Sequence, residues 1–323
     1  MTNQNAFTQT AKLIAVDWGS TGLRVFLLGE RGKLIATRVA PLGASTLKGA
    51  DAYASTLQQL AGDWIAAGDN IPVLACGMVG SQHGWQEVPY VRCPALVTEL
   101  AAGLVQVVAN KITGTTLQIV PGLICQSGES PADLMRGEET QLVGAVQLHP
   151  ELADAACIVL PGTHSKWSQI NDGQITTFAT HMTGELYAVL RQHSVLGRLM
   201  PELAGDSDDA AFLAGVTAAS QHTALGLSHQ LFAVRSLGIT GQMSAQGLAD
   251  YLSGLLIGHE LVAGLSWRRR AGLTQAPLVL VGEPALCARY QLALTHLDSQ
   301  ANMELGNTAA HGLWGLAQAT GLV

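Results

Sequence analysis

The chain has 323 residues, which is enough for two domains of ordinary size. Hydrophobic residues make up 48% and charged residues only 13%, so the composition predicts large buried cores and excludes a disordered chain. The net charge is −7 and there is no long basic run. This argues against nucleic acid as the main partner, because binding to phosphate backbones needs clustered Lys and Arg.

The cysteines and the start of the chain bear on location. The cysteines are odd in number, scattered and without a C-x-x-C pair, which is typical of buried thiols in a reducing compartment: Cys76, Cys93, Cys125, Cys157 and Cys287. Residues 1–10 lack the basic and apolar regions of a signal peptide, and no apolar run reaches membrane-spanning length. We therefore expect a cytoplasmic protein without a membrane partner; the sequence leaves a homo-oligomer open.

The first predicted structure is a three-stranded meander over residues 13–39. Asp17 follows the first strand, and a small-residue turn comes next, made of Gly19, Ser20, Thr21 and Gly22. Such a turn suits a phosphate and its metal, because turn amides bind phosphate oxygens and a carboxylate binds magnesium. An ordinary hairpin stays open as an alternative, since Asp and Gly begin many hairpins.

The same plan returns over residues 156–180, roughly 140 residues later. An apolar strand is followed by the turn Pro161-Gly162-Thr163, and the Asp-Gly pair at 172–173 is a strong hairpin signal between the next two strands. Helical segments follow each meander. The repetition predicts a duplicated α/β domain with a cleft between the two copies.

Residues 77–94 form a glycine- and aromatic-rich loop after a predicted strand at 71–76. Such a loop can line a sugar pocket, with Trp85 as a flat wall and Ser81 or the amides near Gly80 as donors. The alternative is a loop that packs on the core, with Trp85 as its buried anchor.

Two adjacent carboxylates, Glu138 and Glu139, stand at a predicted helix start behind Arg136. The helix dipole favours acids there, so a structural role stays open. Adjacent helical residues point about 100° apart, so we expect only one carboxylate to face the site and accept a proton from a substrate hydroxyl. The helix should end at Pro150, which we take as the domain boundary.

The second half alternates helices with one further strand at 277–281. Gly282 follows that strand and precedes a predicted helix, a position where an adenosine moiety could rest; an ordinary strand-to-helix connection is the alternative. The chain lacks the P-loop, G-x-G-x-x-G, G-x-S-x-G and H-E-x-x-H motifs. A zinc hydrolase or a dinucleotide oxidoreductase is therefore unsupported.

Three segments carry a resemblance to the superfamily of sugar kinases, hexokinase and actin. The segment at 17–21, DWGST with Arg24, resembles its first phosphate loop, and the segment at 160–167, LPGTHSKW, resembles the second without its usual Asp. The segment VGEP at 281–284 resembles the adenosine loop without a second Gly. The resemblance implies an α/β fold with two duplicated ribonuclease-H-like (actin-like ATPase) domains and a cleft between them.

The chain is further identified as similar to the 2-dehydro-3-deoxygalactonokinase family over nearly its whole length. DWGSTGLR, CGMVGSQHGW, IVPGLIC, MRGEETQLVGA, LPGTHSKW, TGELYAVL and YLSGLLIGHE stand in the family's order. The resemblance implies an ATP- and Mg²⁺-dependent kinase that phosphorylates the C6 hydroxyl of 2-dehydro-3-deoxy-D-galactonate in D-galactonate catabolism. It also implies a sugar-acid-binding domain at 1–149 with the first phosphate loop, and a domain at 150–323 with the second phosphate and adenosine loops.

The resemblance also implies roles for individual residues. Asp17 would orient the metal and Glu138 would be the base, with Glu139 as its competitor. The residues facing the nucleotide would be Gly19, Ser20, Thr21, Gly162, Thr163 and Gly282, with Lys166 or Arg24 neutralising charge. The substrate would contact Trp85, and its carboxylate would bind Arg136 or the amides near Gly80 and Ser81.

Two other classes of function are weighed against this one. The first is another ATP-dependent enzyme of the same superfamily: a kinase of another sugar or sugar acid, or an actin-like ATPase that controls a protein partner. The sequence shows no separate peptide-binding domain, which speaks against the actin-like ATPase. The second is a regulator of the related repressor type, which needs a DNA-binding head that neither residues 1–10 nor the net charge provides.

Overall fold

The computed structural model describes residues 11–67, 70–107, 115–126, 131–202 and 206–323. The strands in chain order are β1 (Ala11–Trp18), β2 (Leu23–Gly29), β3 (Leu34–Ala40), β4 (Val73–Gly77), β5 (Val91–Arg92), β6 (Val105–Gln106), β7 (Leu117–Ile119), β8 (Leu123–Cys125), β9 (Asp133–Met135), β10 (Ala155–Leu160), β11 (Ser165–Asn171), β12 (Gln174–His181), β13 (Leu278–Val281) and β14 (Met303–Leu305). The helices are α1 (Ala50–Ala67), α2 (Val97–Ala102), α3 (Glu138–Leu148), α4 (Thr183–His193), α5 (Asp209–Gln221), α6 (Leu227–Ile239), α7 (Ala245–Arg270), α8 (Pro284–His296) and α9 (Ala309–Ala319).

The first sheet has the order β3-β2-β1-β4-β7-β6. Its meander β1–β3 is antiparallel, and β4 adds parallel to β1. Residues 13–16 of β1 are fully buried, as expected for a strand with a parallel neighbour and helices over the sheet. The first meander predicted from the sequence is confirmed.

The second sheet repeats this arrangement with the order β12-β11-β10-β13-β14. Its meander β10–β12 is again flanked by a strand parallel to the first strand of the meander. The second turn of each meander also matches: Arg31-Gly32 has φ of 57° and 72°, and Asp172-Gly173 has 49° and 72°. Two successive positive φ values suit the right-handed twist of a two-residue hairpin, so the second meander is confirmed as well.

A third sheet of very short strands, β5-β8-β9, was not predicted. Its last strand, β9, leads directly into Arg136, Gly137 and the start of α3. This small sheet therefore sets the position from which the two adjacent glutamates begin their helix.

The described residues divide into two compact units. Unit 1 takes those of Met1–Ala155, Gln169–Phe178 and Asn307–Val323, and unit 2 takes those of Ala156–Ser168 and Ala179–Gly306. The predicted domains, 1–149 and 150–323, differ from this division most clearly at the last helix, which belongs to unit 1. The functions assigned to the two domains stay a prediction. Helix α9 belongs to unit 1 because it crosses α3 at glycine contacts: a Cβ on Gly144 would lie 2.0 Å from the Thr308 carbonyl oxygen.

Helix α7 is the long core helix of unit 2. It packs closely on α5, and a Cβ on Gly254 would lie 1.9 Å from the Phe212 carbonyl oxygen. By length and composition it is the one described helix that could cross a membrane, but 72% of its apolar window is buried inside the structure. This burial is typical of the central helix of a globular domain.

Candidate active site

Asp17 lies at the end of β1, with 13% of its side chain exposed. Its Oδ2 atom accepts hydrogen bonds from Arg24 Nη1 and from Asn307 Nδ2, both at 3.3 Å. Burial raises the pKa of Asp17, although Arg24 and Asn307 lower it. The side chain is thus partly accessible and held by two long hydrogen bonds, which a stronger ligand could replace.

In the turn after Asp17, the backbone is hydrogen-bonded and the hydroxyl side chains are exposed. Gly19 donates its N–H to the Gly22 carbonyl at 2.9 Å, and Ser45 Oγ donates to the Ser20 carbonyl at 2.6 Å. Ser20 and Thr21 are exposed. The backbone of this turn is therefore fixed, while its hydroxyls are free to contact a ligand, as predicted for a phosphate loop.

The two adjacent glutamates begin α3 in different surroundings. Glu139 is fully buried, and its carboxylate accepts hydrogen bonds from the Gly137 N–H at 2.6 Å and from Thr140 Oγ1 at 2.9 Å. Burial and then the charge of Glu138 raise the pKa of Glu139 to about 7. Glu138 is only half-buried and accepts a hydrogen bond from the Arg136 N–H at 3.0 Å. Glu138 is thus the more accessible of the two carboxylates, and its role as the base stays a prediction.

Unit 1 brings these three carboxylates together around Cys76. Cys76 pairs with Asp17 in the parallel register of β1 and β4. The Cys76 pKa is raised well above its usual value by burial and then by the charges of Asp17, Glu139 and Glu138. In the sequence these acids belong to separate motifs, whereas the structure places them in one acidic cluster.

Glycines allow this close approach. Gly77 has φ of 91°, and a Cβ there would lie 2.6 Å from the Trp18 carbonyl oxygen. Gly137 has φ of 111°, and a Cβ there would lie 3.1 Å from the Gly77 Cα. A larger residue at Gly77 would press on the end of β1, and one at Gly137 would press on the end of β4, and both would be strained by the positive φ.

The predicted sugar loop divides into core and site residues. Trp85 is 7% exposed and packs edge-on against Trp18, with ring centroids 6.2 Å apart, so its contacts are those of a core anchor. Its role as a pocket wall stays a prediction. Arg136 is 8% exposed, and a Cβ on Gly80 would lie 3.0 Å from its Nη1. Gly80 and Arg136 therefore lie together, while Ser81 is half-buried beside them in sequence.

In unit 2, the predicted second phosphate loop and the predicted adenosine loop meet at one cavity of about 590 Å³. Pro161, Gly162 and Thr163 line it, as does Glu283. A Cβ on Gly282 would lie 3.6 Å from the Pro161 carbonyl oxygen, so the two loops are neighbours. The volume is in the usual range for small-molecule sites, and the exposed Thr163 hydroxyl is available to a ligand.

The two predicted cationic residues differ in exposure. Lys166 is 4% exposed, and its Nζ donates to Thr180 Oγ1 at 2.8 Å. Arg24 is 51% exposed and is paired with Asp17. Lys166 is thus tied into the β11–β12 hairpin, and its part in neutralising phosphate charge stays a prediction.

Glu260 on α7, which the sequence analysis did not single out, lies beside the cavity of unit 2. This 3% exposed carboxylate accepts hydrogen bonds from four side chains: Ser165 Oγ at 2.6 Å, Trp167 Nε1 at 2.9 Å, Tyr290 OH at 2.7 Å and Thr183 Oγ1. Two of these donors, Thr183 and Tyr290, line the cavity. The sequence signal was a lone acid within an apolar helix, which is rarely buried unless it has partners.

The residues present fit a magnesium ion that arrives with a nucleotide. The described part of the chain contains no group of three or more His, Cys, Asp or Glu side chains that could hold a metal by themselves. Mg²⁺ in kinases is commonly bound through one or two carboxylates, waters and substrate phosphates. Asp17, a partly accessible carboxylate beside the exposed turn, suits such a site.

Comparison with known proteins agrees with these features. A sequence profile of the 2-keto-3-deoxy-galactonokinase family matches residues 17–316. The 2-dehydro-3-deoxygalactonokinase of Escherichia coli K12 is 36% identical over 300 residues, which is 93% of this chain and 95% of that protein. A crystal structure of a Sinorhizobium meliloti protein, assigned provisionally as a 2-dehydro-3-deoxygalactonokinase, has 30% identity and a TM-score of 0.81, covering 95% of this chain and 98% of the other.

A more distant structure bears on the fold alone. Component A of the (R)-2-hydroxyglutaryl-CoA dehydratase of Acidaminococcus fermentans has 14% identity and a TM-score of 0.50, covering 95% of this chain and 98% of its own. The predicted α/β fold of the actin-like ATPase class is confirmed by these neighbours, as is the resemblance drawn from the motifs. The chain belongs to the 2-keto-3-deoxy-galactonokinase family.

Proposed function

We propose that this kinase transfers the γ-phosphoryl group of ATP to the C6 hydroxyl of 2-dehydro-3-deoxy-D-galactonate and so acts in D-galactonate catabolism. The observation that carries the proposal is the family match over residues 17–316. The acidic cluster in unit 1 supports it, because phosphoryl transfer needs a carboxylate near the acceptor hydroxyl and another near the metal.

The nucleotide proposal rests on unit 2 and on the turn after Asp17. Gly162 and Thr163 would bind phosphate oxygens, and the cavity they line would hold the adenosine beside Gly282. Gly19, Ser20 and Thr21 would contact the phosphates from the first loop, with Arg24 or Lys166 near their charge. Asp17 would hold Mg²⁺, which would neutralise charge on the phosphates when it is bound.

The base would be Glu138. Its half-buried carboxylate can accept the C6 proton as the new bond to phosphorus forms, and its hydrogen bond from the Arg136 N–H fixes its orientation. Glu139 is the competitor, but both of its oxygens are engaged by Gly137 and Thr140, and it is fully buried. Most of the acceleration would come from positioning and charge stabilisation.

A coupled assay of ADP formation by the purified full chain tests the proposal. The assay is run with Mg-ATP and one of three acids: 2-dehydro-3-deoxy-D-galactonate, the C4 epimer of that acid, or D-galactonate. A fourth reaction contains no acid. We expect ADP release to depend on the keto-deoxy acid, and the product to carry phosphorus coupled to the C6 protons in its NMR spectrum.

Two results would contradict the proposal. Equal ADP release without the acid would indicate an ATPase that controls a partner. A higher kcat/KM on another sugar or sugar acid would assign a different substrate. Asp17→Asn should weaken the magnesium-dependent activity, so that more Mg²⁺ is needed for half-maximal turnover; unchanged metal dependence would contradict the metal role of Asp17.

A further inference from the structure

The guanidinium of Arg136 is buried and only partly satisfied. Its Nη2 donates to the Val88 carbonyl oxygen at 2.7 Å. Its Nε and Nη1 are buried and have no hydrogen-bond partner within the described ranges of the chain. Arg136 stands out because a buried cation normally has an anion or a full set of acceptors around it.

The surroundings favour a ligand over a protein partner. The Arg136 Cζ lies 4.2 Å from the centroid of the Tyr90 ring, and this stacking leaves the in-plane N–H groups free. Tyr90 is 38% exposed, so the ring that covers the guanidinium borders on solvent. Gly80 stands on the Nη1 side, where a Cβ would lie 3.0 Å from that nitrogen.

The neighbouring acids accept hydrogen bonds from main-chain donors. The carboxylate of Glu138 accepts the main-chain N–H of Arg136, and that of Glu139 accepts the main-chain N–H of Gly137. The guanidinium itself keeps free donors, although two carboxylates are within three residues of it in sequence. Because a buried guanidinium with unpartnered donors destabilises a protein, its position beside the proposed base favours an anion that arrives with the substrate.

We propose that Arg136 binds the carboxylate of the sugar-acid substrate, a 2-oxo acid, through Nε and Nη1. This inference rests on the proposed function, since it names the group that holds one end of that substrate. Arginine suits a carboxylate because its planar N–H groups match the two oxygens. Anchoring the acid at residue 136 would place the rest of the molecule next to Glu138.

The test compares Arg136→Met and Arg136→Lys with the wild-type chain. Calorimetry measures binding of 2-dehydro-3-deoxy-D-galactonate and of its analogue in which a hydroxymethyl group replaces the carboxylate. We expect the wild type to bind the acid much more tightly, and Arg136→Met to weaken acid binding by roughly 10- to 150-fold, the usual range for charge-assisted hydrogen bonds. Binding of the analogue and the KM for ATP should change little.

A matched control and a stability measurement separate binding from folding. Arg92 on β5 is exposed, so Arg92→Met should leave acid binding unchanged. Arg136→Lys keeps the positive charge but loses the planar donors, and it should fold and bind the acid with intermediate affinity. Because two of its nitrogens are unpartnered, Arg136→Met should unfold within a few degrees of the wild type.

Two sets of results would overturn the inference. The first is unchanged acid affinity in either Arg136 variant. The second is an equal loss of affinity for the acid and for the carboxylate-free analogue, which would indicate a general packing role. Acid binding that depends on Arg136 without any acid-dependent ADP release would instead leave this inference standing and contradict the proposed kinase reaction.

Discussion

Glu139 in unit 1 and Glu260 in unit 2 are both nearly inaccessible, yet their surroundings differ. Glu260 accepts hydrogen bonds from four side chains on distant parts of the chain. Glu139 accepts hydrogen bonds from its immediate neighbours Gly137 and Thr140, and a second carboxylate stands next to it. Two equally buried carboxylates can therefore have different surroundings. Glu260 joins separate structural elements, whereas Glu139 belongs to a cluster of charged side chains.

The difference bears on what each unit contributes. In unit 1, two carboxylates at the start of α3 and a third at the end of β1 share one small region, which is the usual arrangement where acids do chemistry. In unit 2, a single carboxylate ties the strand after the second phosphate loop to α8 and to the start of α4. This second arrangement joins two residues that line the cavity proposed to hold the nucleotide, Thr183 and Tyr290.

The largest effect on stability is expected from Glu260→Gln. The amide retains one acceptor oxygen but presents an NH₂ group to donors, Trp167 among them, that need an acceptor. We expect a loss of about 2–4 kcal/mol in the free energy of unfolding, from the cost of unsatisfied buried donors. Since Thr183 and Tyr290 line the cavity, the KM for ATP should rise more than the KM for the acid. Urea unfolding and steady-state kinetics measure both quantities.

Tyr290→Phe is the matched control for that variant. It removes one of the four donors and leaves the carboxylate with the other three, so the loss should be about 1 kcal/mol. A Glu260→Gln chain as stable as the wild type, with unchanged KM for ATP, would remove the structural role given to this carboxylate.

A smaller effect is expected from Glu139 and depends on pH. The Glu139 pKa is raised from 4.5 to about 7 in the folded chain, so the folded state holds a proton that the unfolded state releases between these values. Stability contributed by this proton is present below about pH 4.5 and is lost as the pH rises through about 7. The full loss is on the order of 3 kcal/mol, because each pKa unit corresponds to about 1.4 kcal/mol.

Glu139→Gln should remove that dependence. Urea unfolding of both chains at pH values from 5 to 8 gives the difference between them, in which contributions from histidines shared by both chains cancel. We expect the variant to gain stability relative to the wild type as the pH rises. A constant difference across the range would show that Glu139 titrates outside it.

Parts of this molecule were predictable from sequence because their signals are local. Both meanders were predicted from their apolar strands and from the Arg-Gly and Asp-Gly turns. The helix start at Glu138 was predicted from its adjacent acids and Gly137. The sheet β5-β8-β9 was missed because strands of two or three residues carry too little periodicity. Helix α9 was assigned to the second domain because only its packing on Gly144 reveals its place in unit 1.

The site shows the same limit. The motifs predicted roles for Asp17, Glu138, Thr163 and Arg136 one by one, but they did not show that Asp17 and Glu138 lie near the same cysteine. Glu260 could not be found because its donors are 30 to 95 residues away in the chain. Which of two adjacent glutamates is accessible depends on how α3 meets β4, and that contact is tertiary.

We propose that Glu138, and not Glu139, takes the proton from the acceptor hydroxyl. Rapid-quench measurement of single-turnover phosphoryl transfer from ATP to the keto-deoxy acid, in Glu138→Gln and Glu139→Gln, distinguishes the two glutamates. We predict that Glu138→Gln slows transfer by about 10²–10⁴-fold while nucleotide and acid still bind, and that Glu139→Gln stays within about tenfold of the wild type. Near-normal transfer in Glu138→Gln, with a collapse in Glu139→Gln, would contradict the assignment.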